Sequence, residues 1–394
     1  MVSSEKKLYV LTLLIYFALA FFAIGCATYQ SSQRLKSEIT EGNHTGYYIS
    51  SVPFFKQKEN WCGPASLASV LRYWGEDVSQ REIADSVYLP SIRGSLNFDL
   101  TNYAANLGFW ATGYKGSLAD LKEKVSRDLP VIVLQRILPI FSLYHYLVVI
   151  GYDEDRQLLI AHSGKRADSL IPYRRFMKKW KAADYWTLVI CPPERIYWDL
   201  GANEYNDLGM IYEARGKTDL AIESYRKSIQ LEPDMAETQF NIGNAYLKKG
   251  LYSEATDSYK KAIQLDLSYA DVYNNLAWAY VQMNSNLAEA EWCIERARTL
   301  NPDGEAYYLD TLGELFYLQG FYDDAISAFT ESLDSALPDF SPRLRALVYY
   351  HLGLAYLANA QRDDAVIYFQ EALKVDPQSD IADEIKQILE AETY

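Results

Sequence analysis

The stretch from Gln57 to Trp74 reads QKENWCGPASLASVLRYW and decides how the first half of the chain folds. An apolar helix is predicted from Pro64 to Trp74, because proline fits a first helical turn, where no amide hydrogen is needed. Cys62 then lies at the helix start, where the positive end of the helix dipole favours a thiolate and lowers the pKa of the thiol. Gly63 leaves room for a ligand beside the sulfur.

Two further side chains complete a possible reaction centre. Gln57 lies five residues before Cys62, and its carboxamide can donate a hydrogen bond to the oxyanion that forms when sulfur attacks an acyl carbon. His145 begins an apolar strand, where a polar ring needs a hydrogen-bond partner or has a functional role. The competing histidines in this half are His44, in a polar stretch, and His162. Gln57, Cys62 and His145 therefore predict an oxyanion donor, a nucleophile and a base, in that order along the chain.

Helices precede strands in this half of the chain, which predicts an α+β domain. The predicted helices are Pro64 to Trp74, Ser79 to Val87, Asn97 to Leu107 and Ser117 to Arg127, with Ser79 and Asn97 as candidate N-caps. The predicted strands are Val131 to Leu134, Tyr144 to Gly151, Leu158 to His162 and Tyr185 to Ile190.

Three segments together carry a family resemblance: Val52-Pro53-Phe54 up to Gln57, Cys62 to Ala68, and His145 to Asp153. This set resembles the papain-fold cysteine peptidases that process double-glycine leaders of bacteriocins. The resemblance implies a papain-like fold and catalysis through a thioester. It also implies that Cys62 is the nucleophile, His145 the base and Gln57 the oxyanion donor.

The residue that orients the base departs from that family, in which an Asp ends the strand after the histidine hairpin. The matching stretch here, Leu159 to Ser163, has no Asp. With a turn centred near residue 154 or 155, antiparallel pairing brings residues 162 to 164 beside His145. His162, Ser163 or a backbone carbonyl must then hold the ring, and His162 is predicted as the orienting residue. Asp153 and Asp155 lie at the far tip, too distant to serve.

The second half of the chain is built from a repeat. Leu208-Gly209-x-x-Tyr212 recurs at offsets of 34, 34, 36 and 40 residues, and most units add an Ala followed four residues later by an aromatic residue, as in Ala221 and Tyr225. The pattern resembles the tetratricopeptide repeat. The small residues let paired helices approach closely, while the aromatic residues are expected to fill gaps between neighbouring hairpins. Five units predict an all-α superhelix whose concave face takes a peptide or a partner helix.

The first 26 residues form a targeting segment. Lys6 and Lys7 precede an apolar run from Leu8 to Ile24, and Ala23-Ile24-Gly25-Cys26 resembles a bacterial lipobox. The resemblance implies lipidation of Cys26 after removal of residues 1–25. An uncleaved membrane-spanning helix is the alternative, because the run is about 20 residues long. Either anchor places the rest of the chain in the cell envelope. Ala27 and Thr28 resemble the outer-membrane sorting signal, which predicts the periplasmic face of the outer membrane.

Charge and cysteine usage exclude other classes of protein. A net charge of −14 argues against a nucleic-acid partner, because phosphate binding needs a surplus of Lys and Arg. Cys62, Cys191 and Cys293 are an odd set without close spacing, so no disulfide framework is expected. No Cys/His cluster has zinc-ligand spacing and the chain has four histidines, so neither a metal nor a cofactor is predicted.

The predicted organisation is therefore a signal peptide (1–25), a tether (26–47), a papain-like cysteine peptidase domain (48–192), a linker (193–202), five repeats (203–380) and a C-terminal capping helix (381–394). We expect a membrane-anchored cysteine peptidase that cuts a peptide or protein recruited by the repeats. The alternative is a scaffold in which an inactive peptidase-like domain only binds. The missing Asp favours the scaffold, whereas retention of Gln57, Cys62 and His145 favours the enzyme.

Overall fold

The computed structural model describes residues 32–138, 143–266, 268–335 and 340–392. They divide into two compact units, with the division between Trp198 and Asp199. The predicted signal segment and Cys26 lie outside the described residues. Among the residues described, no helix has the length and apolar character needed to cross a membrane.

The described residues of the first unit form six α-helices and one antiparallel sheet of seven strands. The helices are α1 (residues 32–40), α2 (Cys62–Tyr73), α3 (Gln80–Val87), α4 (Asn97–Asn106), α5 (Leu118–Ser126) and α6 (Tyr173–Lys181). The strands are β1 (Gly46–Tyr48), β2 (Trp110–Lys115), β3 (Val131–Leu138), β4 (Leu143–Asp153), β5 (Leu158–Ser163), β6 (Arg166–Pro172) and β7 (Trp186–Cys191). Their order is β2-β7-β3-β4-β5-β6, with β1 added beside β4.

The predicted helices and strands all appear, with ends shifted by a few residues. Ser79 caps α3 through a complete capping box with Glu82. Asn97 is not an N-cap, because it is the first residue of α4 and its side chain instead accepts a hydrogen bond from the Tyr146 hydroxyl at 2.5 Å. Elements α1, β1, β2, β6 and α6 had no counterpart among the sequence predictions.

The predicted tether is wrong for residues 32–47. Helix α1 buries Leu35 and Ile39 in the core of the first unit, and β1 pairs Gly46 with Asp153. A Cβ on Gly46 would lie 2.3 Å from the carbonyl oxygen of Tyr152, so this close strand approach requires glycine. Polar composition concealed two apolar positions spaced four residues apart, which is enough to attach one helical face to the core.

The start of the predicted linker also belongs to the first unit. Residues Pro193–Arg195 form a 3-10 turn. Beyond it, the Tyr197 ring lies under the Arg127 guanidinium and the Trp198 ring under the Lys124 ammonium, both cations on or just after α5. These cation–π contacts fix the segment to the domain.

The described residues of the second unit form five helical hairpins followed by a single helix, as predicted. The hairpins are α7 (Ala202–Ala214) with α8 (Thr218–Leu231), α9 (Ala236–Lys248) with α10 (Tyr252–Leu265), α11 (Ala270–Gln282) with α12 (Leu287–Leu300), α13 (Glu305–Gln319) with α14 (Tyr322–Ser335), and α15 (Pro342–Ala358) with α16 (Arg362–Val375). The last helix, α17 (Ala382–Glu392), packs on α16 and buries Ile385.

The repeat glycines hold the two helices close together in four of the five described hairpins. A Cβ on Gly209 would lie 2.3 Å from the Tyr225 ring, and one on Gly353 would lie 2.7 Å from the Phe369 ring. The aromatic side chain therefore packs against the glycine of its own hairpin. The expectation that it fills the gap between neighbouring hairpins is wrong for these contacts, because the glycine leaves the space that the ring occupies.

Candidate active site

Cys62 is the first residue of α2, as the sequence predicts. The helix packs on β4, and its residues from Gly63 to Leu71 are buried. A Cβ on Gly63 would lie 3.3 Å from Ser95, so glycine keeps the helix start close to the segment before α4. The sulfur is thereby held at the edge of the domain core, against the strand that carries His145.

The predicted direction of the Cys62 pKa is wrong. Burial raises the pKa of the Cys62 thiol above its ordinary value, and backbone hydrogen bonds from Tyr146, Gly63 and Cys62 itself only partly oppose that effect. The helix start does supply amide donors to the sulfur, but desolvation of the thiolate is the larger effect. The contact with the Tyr146 amide also shows that the residue next to His145 reaches the sulfur.

Gln57 and His145 meet on either side of Gly164. The backbone N–H of Gln57 donates to the carbonyl of Gly164 at 3.1 Å. A Cβ on Gly164 would lie 3.3 Å from Gln57 Oε1 and 3.4 Å from His145 Cε1, and this residue has a φ of +62°. Glycine is therefore required both by its left-handed backbone and by the two side chains that flank it. Sequence reasoning did not single out Gly164.

The ring of His145 is held by Ser163. His145 Nε2 and Ser163 Oγ lie 3.1 Å apart. Ser163 was one of the three alternatives left open by the hairpin register. The pairing of Val149 with Ala161 places Ser163 on the same face of the sheet as His145, because side chains alternate along a strand.

His162 does not orient His145, and that prediction is wrong. It pairs with Val148 and so lies on the opposite face of the sheet. Its Nε2 lies 3.0 Å from the carbonyl oxygen of Val52, and its Nδ1 accepts from the backbone N–H of Asp168 at 3.3 Å. His162 therefore fixes the extended segment that leads to Gln57.

Burial and charge keep His145 neutral. Burial lowers its pKa to about 4, and the nearby Lys179 ammonium on α6 acts in the same direction. With a raised pKa at Cys62 and a lowered pKa at His145, the resting pair is a thiol and a neutral imidazole. Among the described residues, no hydrogen bond joins the sulfur to the ring.

Gln57, Cys62 and His145 line one cleft of about 600 Å³. Its other walls include Ile92, Leu96, Leu134 and Leu143. Three of these are unusually exposed for apolar side chains, at 54% for Ile92 and 48% for both Leu96 and Leu143. The cleft thus offers apolar contacts beside the sulfur. Gln57 Oε1 is buried there without a hydrogen-bond partner among the described residues.

Comparisons with known proteins match the two units separately. Residues 49–187 match the model of the Peptidase_C39 like family. Residues 209–250 and 243–284 match a TPR repeat model, and residues 303–378 match a tetratricopeptide repeat model. The search of curated proteins found no match.

Similar solved structures include helical repeat proteins. The crystal structure of MamA protein is 30% identical and covers 45% of this chain and 92% of its own, at a TM-score of 0.37. TTC0263, a thermophilic TPR protein in Thermus thermophilus, is 21% identical, with coverages of 49% and 98% and a TM-score of 0.41. YrrB, described as a TPR protein with an unusual peptide-binding site, is 22% identical, with coverages of 47% and 92% and a TM-score of 0.36.

Proposed function

Because the chain joins a Peptidase_C39-like domain to tetratricopeptide repeats, we propose that it is a cysteine peptidase whose repeats recruit its substrate. The observation that carries the proposal is the common cleft of Gln57, Cys62 and His145. These residues come from an extended segment, a helix start and a strand, and a purely structural role would not require all three to line one opening.

The reaction starts from the neutral pair. With Nε2–H donating to Ser163, the His145 ring has Nδ1 free to accept the thiol proton as sulfur attacks the carbonyl carbon of a peptide bond. The carboxamide N–H of Gln57 donates to the oxyanion of the tetrahedral intermediate. Collapse then expels the amine, which takes the proton from His145, and water hydrolyses the thioester.

The lining of the cleft supports a substrate with apolar side chains next to the bond that is cut. Ile92, Leu96 and Leu143 present exposed apolar surface beside the reacting sulfur. Each buried methylene of a ligand contributes about 0.8 kcal/mol, so a few such contacts fix the register of an extended peptide.

A thiol-reactive peptide probe with an apolar side chain tests the peptidase directly. We expect it to label Cys62 in the native chain and to label neither the Cys62→Ala nor the His145→Ala variant. Cys293→Ser is the matched control, because that thiol is buried and its pKa is raised to about 12. Labelling that survives Cys62→Ala, or an absence of peptide cleavage alongside labelling, contradicts the proposal.

A binding scaffold is the second candidate, favoured by two observations. Ser163 stands where the resembling family has an Asp, and burial moves the pKa values of Cys62 and His145 away from those of an ion pair. A scaffold predicts tight, saturable binding of a peptide that is recovered intact after prolonged incubation with the native chain.

The repeats supply a surface for recruitment. The first helices of successive repeats contact one another, and polar side chains join them, as in the hydrogen bonds from Asn241 to Asn206 at 3.0 Å and from Asn275 to Asn244 at 2.9 Å. With the Cys62→Ala variant as a trap in the native envelope, a bound protein should cross-link to α7, α9, α11, α13 or α15. Cross-links confined to the second helices contradict this role.

We also infer that Cys26 is lipidated and holds the chain at the periplasmic face of the outer membrane. The support is the apolar run that ends in Gly25-Cys26. A clickable fatty acid should label the native chain and not the Cys26→Ala variant, and the mature chain should begin at Cys26. An intact Met1 by mass spectrometry instead identifies the spanning anchor.

A further inference from the structure

A second cluster of side chains lies at the far end of β4 from His145. His44, just before β1, meets Asp153 at the end of β4 and Asp155 in the following turn. His44 Nδ1 lies 3.1 Å from Asp153 Oδ2 and 3.5 Å from Asp155 Oδ2. The pairing of Gly46 with Asp153 brings His44 close to the two carboxylates. The Asp155 side chain also accepts a hydrogen bond from the backbone N–H of Thr45, although 110 residues separate the two in sequence.

Asp153 is the unusual member of this cluster. Its side chain is 0% exposed. Oδ1 accepts from the backbone N–H of Arg156 at 2.9 Å, whereas Oδ2 has no hydrogen-bond partner among the described residues. His44 Nδ1 is likewise buried and lacks a partner, although the two atoms are close. A buried carboxylate oxygen without a donor is costly, so something other than a direct N–H···O bond is expected to satisfy it.

The distances within the cluster suit a metal ion. Ligand bonds of about 2.0–2.2 Å at tetrahedral angles separate neighbouring ligand atoms by about 3.3–3.6 Å. The separation of 3.5 Å lies within that range, and the separation of 3.1 Å lies just below it. One imidazole and two carboxylates form a donor set that Zn²⁺ accepts, and the charges of the two carboxylates balance a dication. The Asp155 side chain is 48% exposed, so water can reach the remaining position.

A superficially similar cluster in the repeats lacks these features. There, His351 Nδ1 already forms a hydrogen bond of 2.9 Å with Asp310 Oδ1. Burial lowers the pKa of His351, but the charge and hydrogen bond of Asp310 and the charge of Glu314 outweigh it and raise the pKa to about 9. An imidazolium has no lone pair for a metal, so this cluster is an ion-paired contact between helices.

We propose that His44 Nδ1, Asp153 Oδ2 and Asp155 Oδ2 bind one divalent transition-metal ion, with Zn²⁺ as the best fit. The site joins the segment before β1 to the β4–β5 hairpin and so stabilises the attachment of residues 32–48 to the domain. Eight residues of strand, roughly 26 Å, separate it from His145, so its role is structural. The sequence predicted no metal here, because the three ligands become neighbours only through strand pairing.

The test uses the full, metal-stripped chain, titrated with Co²⁺ while its visible absorption is recorded and then with Zn²⁺ as competitor. We expect one equivalent to bind with the spectrum of a tetrahedral nitrogen and oxygen site. Asp155→Asn and His44→Gln should each weaken binding at least tenfold. Asp155→Asn keeps an acceptor oxygen for Thr45 on a half-exposed side chain, so folding should survive. His351→Gln is the matched control and should bind like the native chain.

A thermal measurement gives a second readout. Zn²⁺ should raise the melting temperature of the native chain and of His351→Gln, but not that of Asp155→Asn. The proposal is overturned by the absence of saturable binding, by equal binding to the Asp155→Asn variant, or by a thiolate-to-cobalt absorption band, which places the metal on a cysteine. If no metal binds saturably, the cluster is a simple ion pair between His44 and Asp153.

Discussion

At the scale of single residues, the candidate site depends on how the His145 ring is held. Ser163 contacts the ring at 3.1 Å but carries no charge, so it orients the imidazole without stabilising an imidazolium. Lys179 acts against the imidazolium as well. Gln57, Cys62 and His145 thus line one cleft, but among the described residues no carboxylate contacts the His145 ring to favour charge separation.

Ser163→Asp should restore that carboxylate. Opposite charge close to a titrating group favours the charged form, so the variant should raise the pKa of His145 and increase probe labelling of Cys62 at neutral pH, roughly tenfold or more. Ser163→Ala should reduce probe labelling of Cys62 without raising the pKa of His145. The pH profile of labelling is the measurement, and an unchanged acid limb in Ser163→Asp refutes the assignment of Ser163.

Lys179→Gln tests the opposing charge. Removal of the ammonium should raise the pKa of His145, because Lys179 disfavours the protonated ring. The acid limb of probe labelling should therefore move to higher pH. Lys178→Gln, one residue away on the same helix, is the matched control and should leave the profile in place. A shift of equal size in both variants indicates a general charge effect on the surface.

Only part of the candidate site could be predicted from the sequence. Cys62 and Gln57 could be singled out as candidates because their spacing is local. Strand alternation with an expected turn centre limited the candidate partners of the His145 ring to residues 162 to 164. A bulge between Val149 and Gly151 lies between that turn and His145. The choice between His162 and Ser163 depended on which face each occupied, and no local pattern fixes a bulge. The direction of the Cys62 pKa depended on burial, which periodicity alone does not measure.

At the scale of elements, the third repeat shows how the space between the two helices of a hairpin stays filled. Ala277 stands at the position of the repeat glycine. Because α12 begins one residue later, counted from that position, than the second helices of the other hairpins do, Ile294 stands where those hairpins place an aromatic ring. Both are buried, at 0% exposure. A larger residue on the first helix is thus matched by a smaller one on the second, which keeps the interior of the hairpin filled. The repeat itself was predictable from its period, but the paired change of one residue on each helix departs from the repeat pattern and was not predicted.

Ile294→Tyr alone should destabilise the repeats by about 1–3 kcal/mol, because the ring would collide with the Ala277 methyl group. Adding Ala277→Gly should recover most of that loss, since the other hairpins accommodate the same pair. Free energies of unfolding for the native chain, both single variants and the double variant form the cycle. Strictly additive effects would show that the two side chains do not share one space.

At the scale of the whole molecule, two half-buried histidines, His145 and His351, titrate in opposite directions. The folded pKa of His145, about 4, lies below the unfolded value near 6.5, so its neutral form is favoured by folding. That contribution is present above pH 6.5 and is lost as pH falls to about 4. The folded pKa of His351, about 9, lies above the unfolded value, so its contribution is present below pH 6.5 and is lost as pH rises to about 9.

The two units should consequently respond to pH with opposite signs. In the native chain, the titration of His145 should lower the free energy of unfolding by about 2–3 kcal/mol between pH 6.5 and 4, and the His145→Asn variant should not show this decrease. The titration of His351 should lower it by a similar amount between pH 6.5 and 9, and the His351→Gln variant should not show that decrease. Denaturant unfolding at fixed ionic strength measures both differences. Tyr308→Phe, which also loses a polar contact within the repeats, is the control, because it removes no histidine. If His351→Gln and Tyr308→Phe show the same dependence on pH, the paired imidazolium at Asp310 is not what stabilises the repeats below pH 6.5.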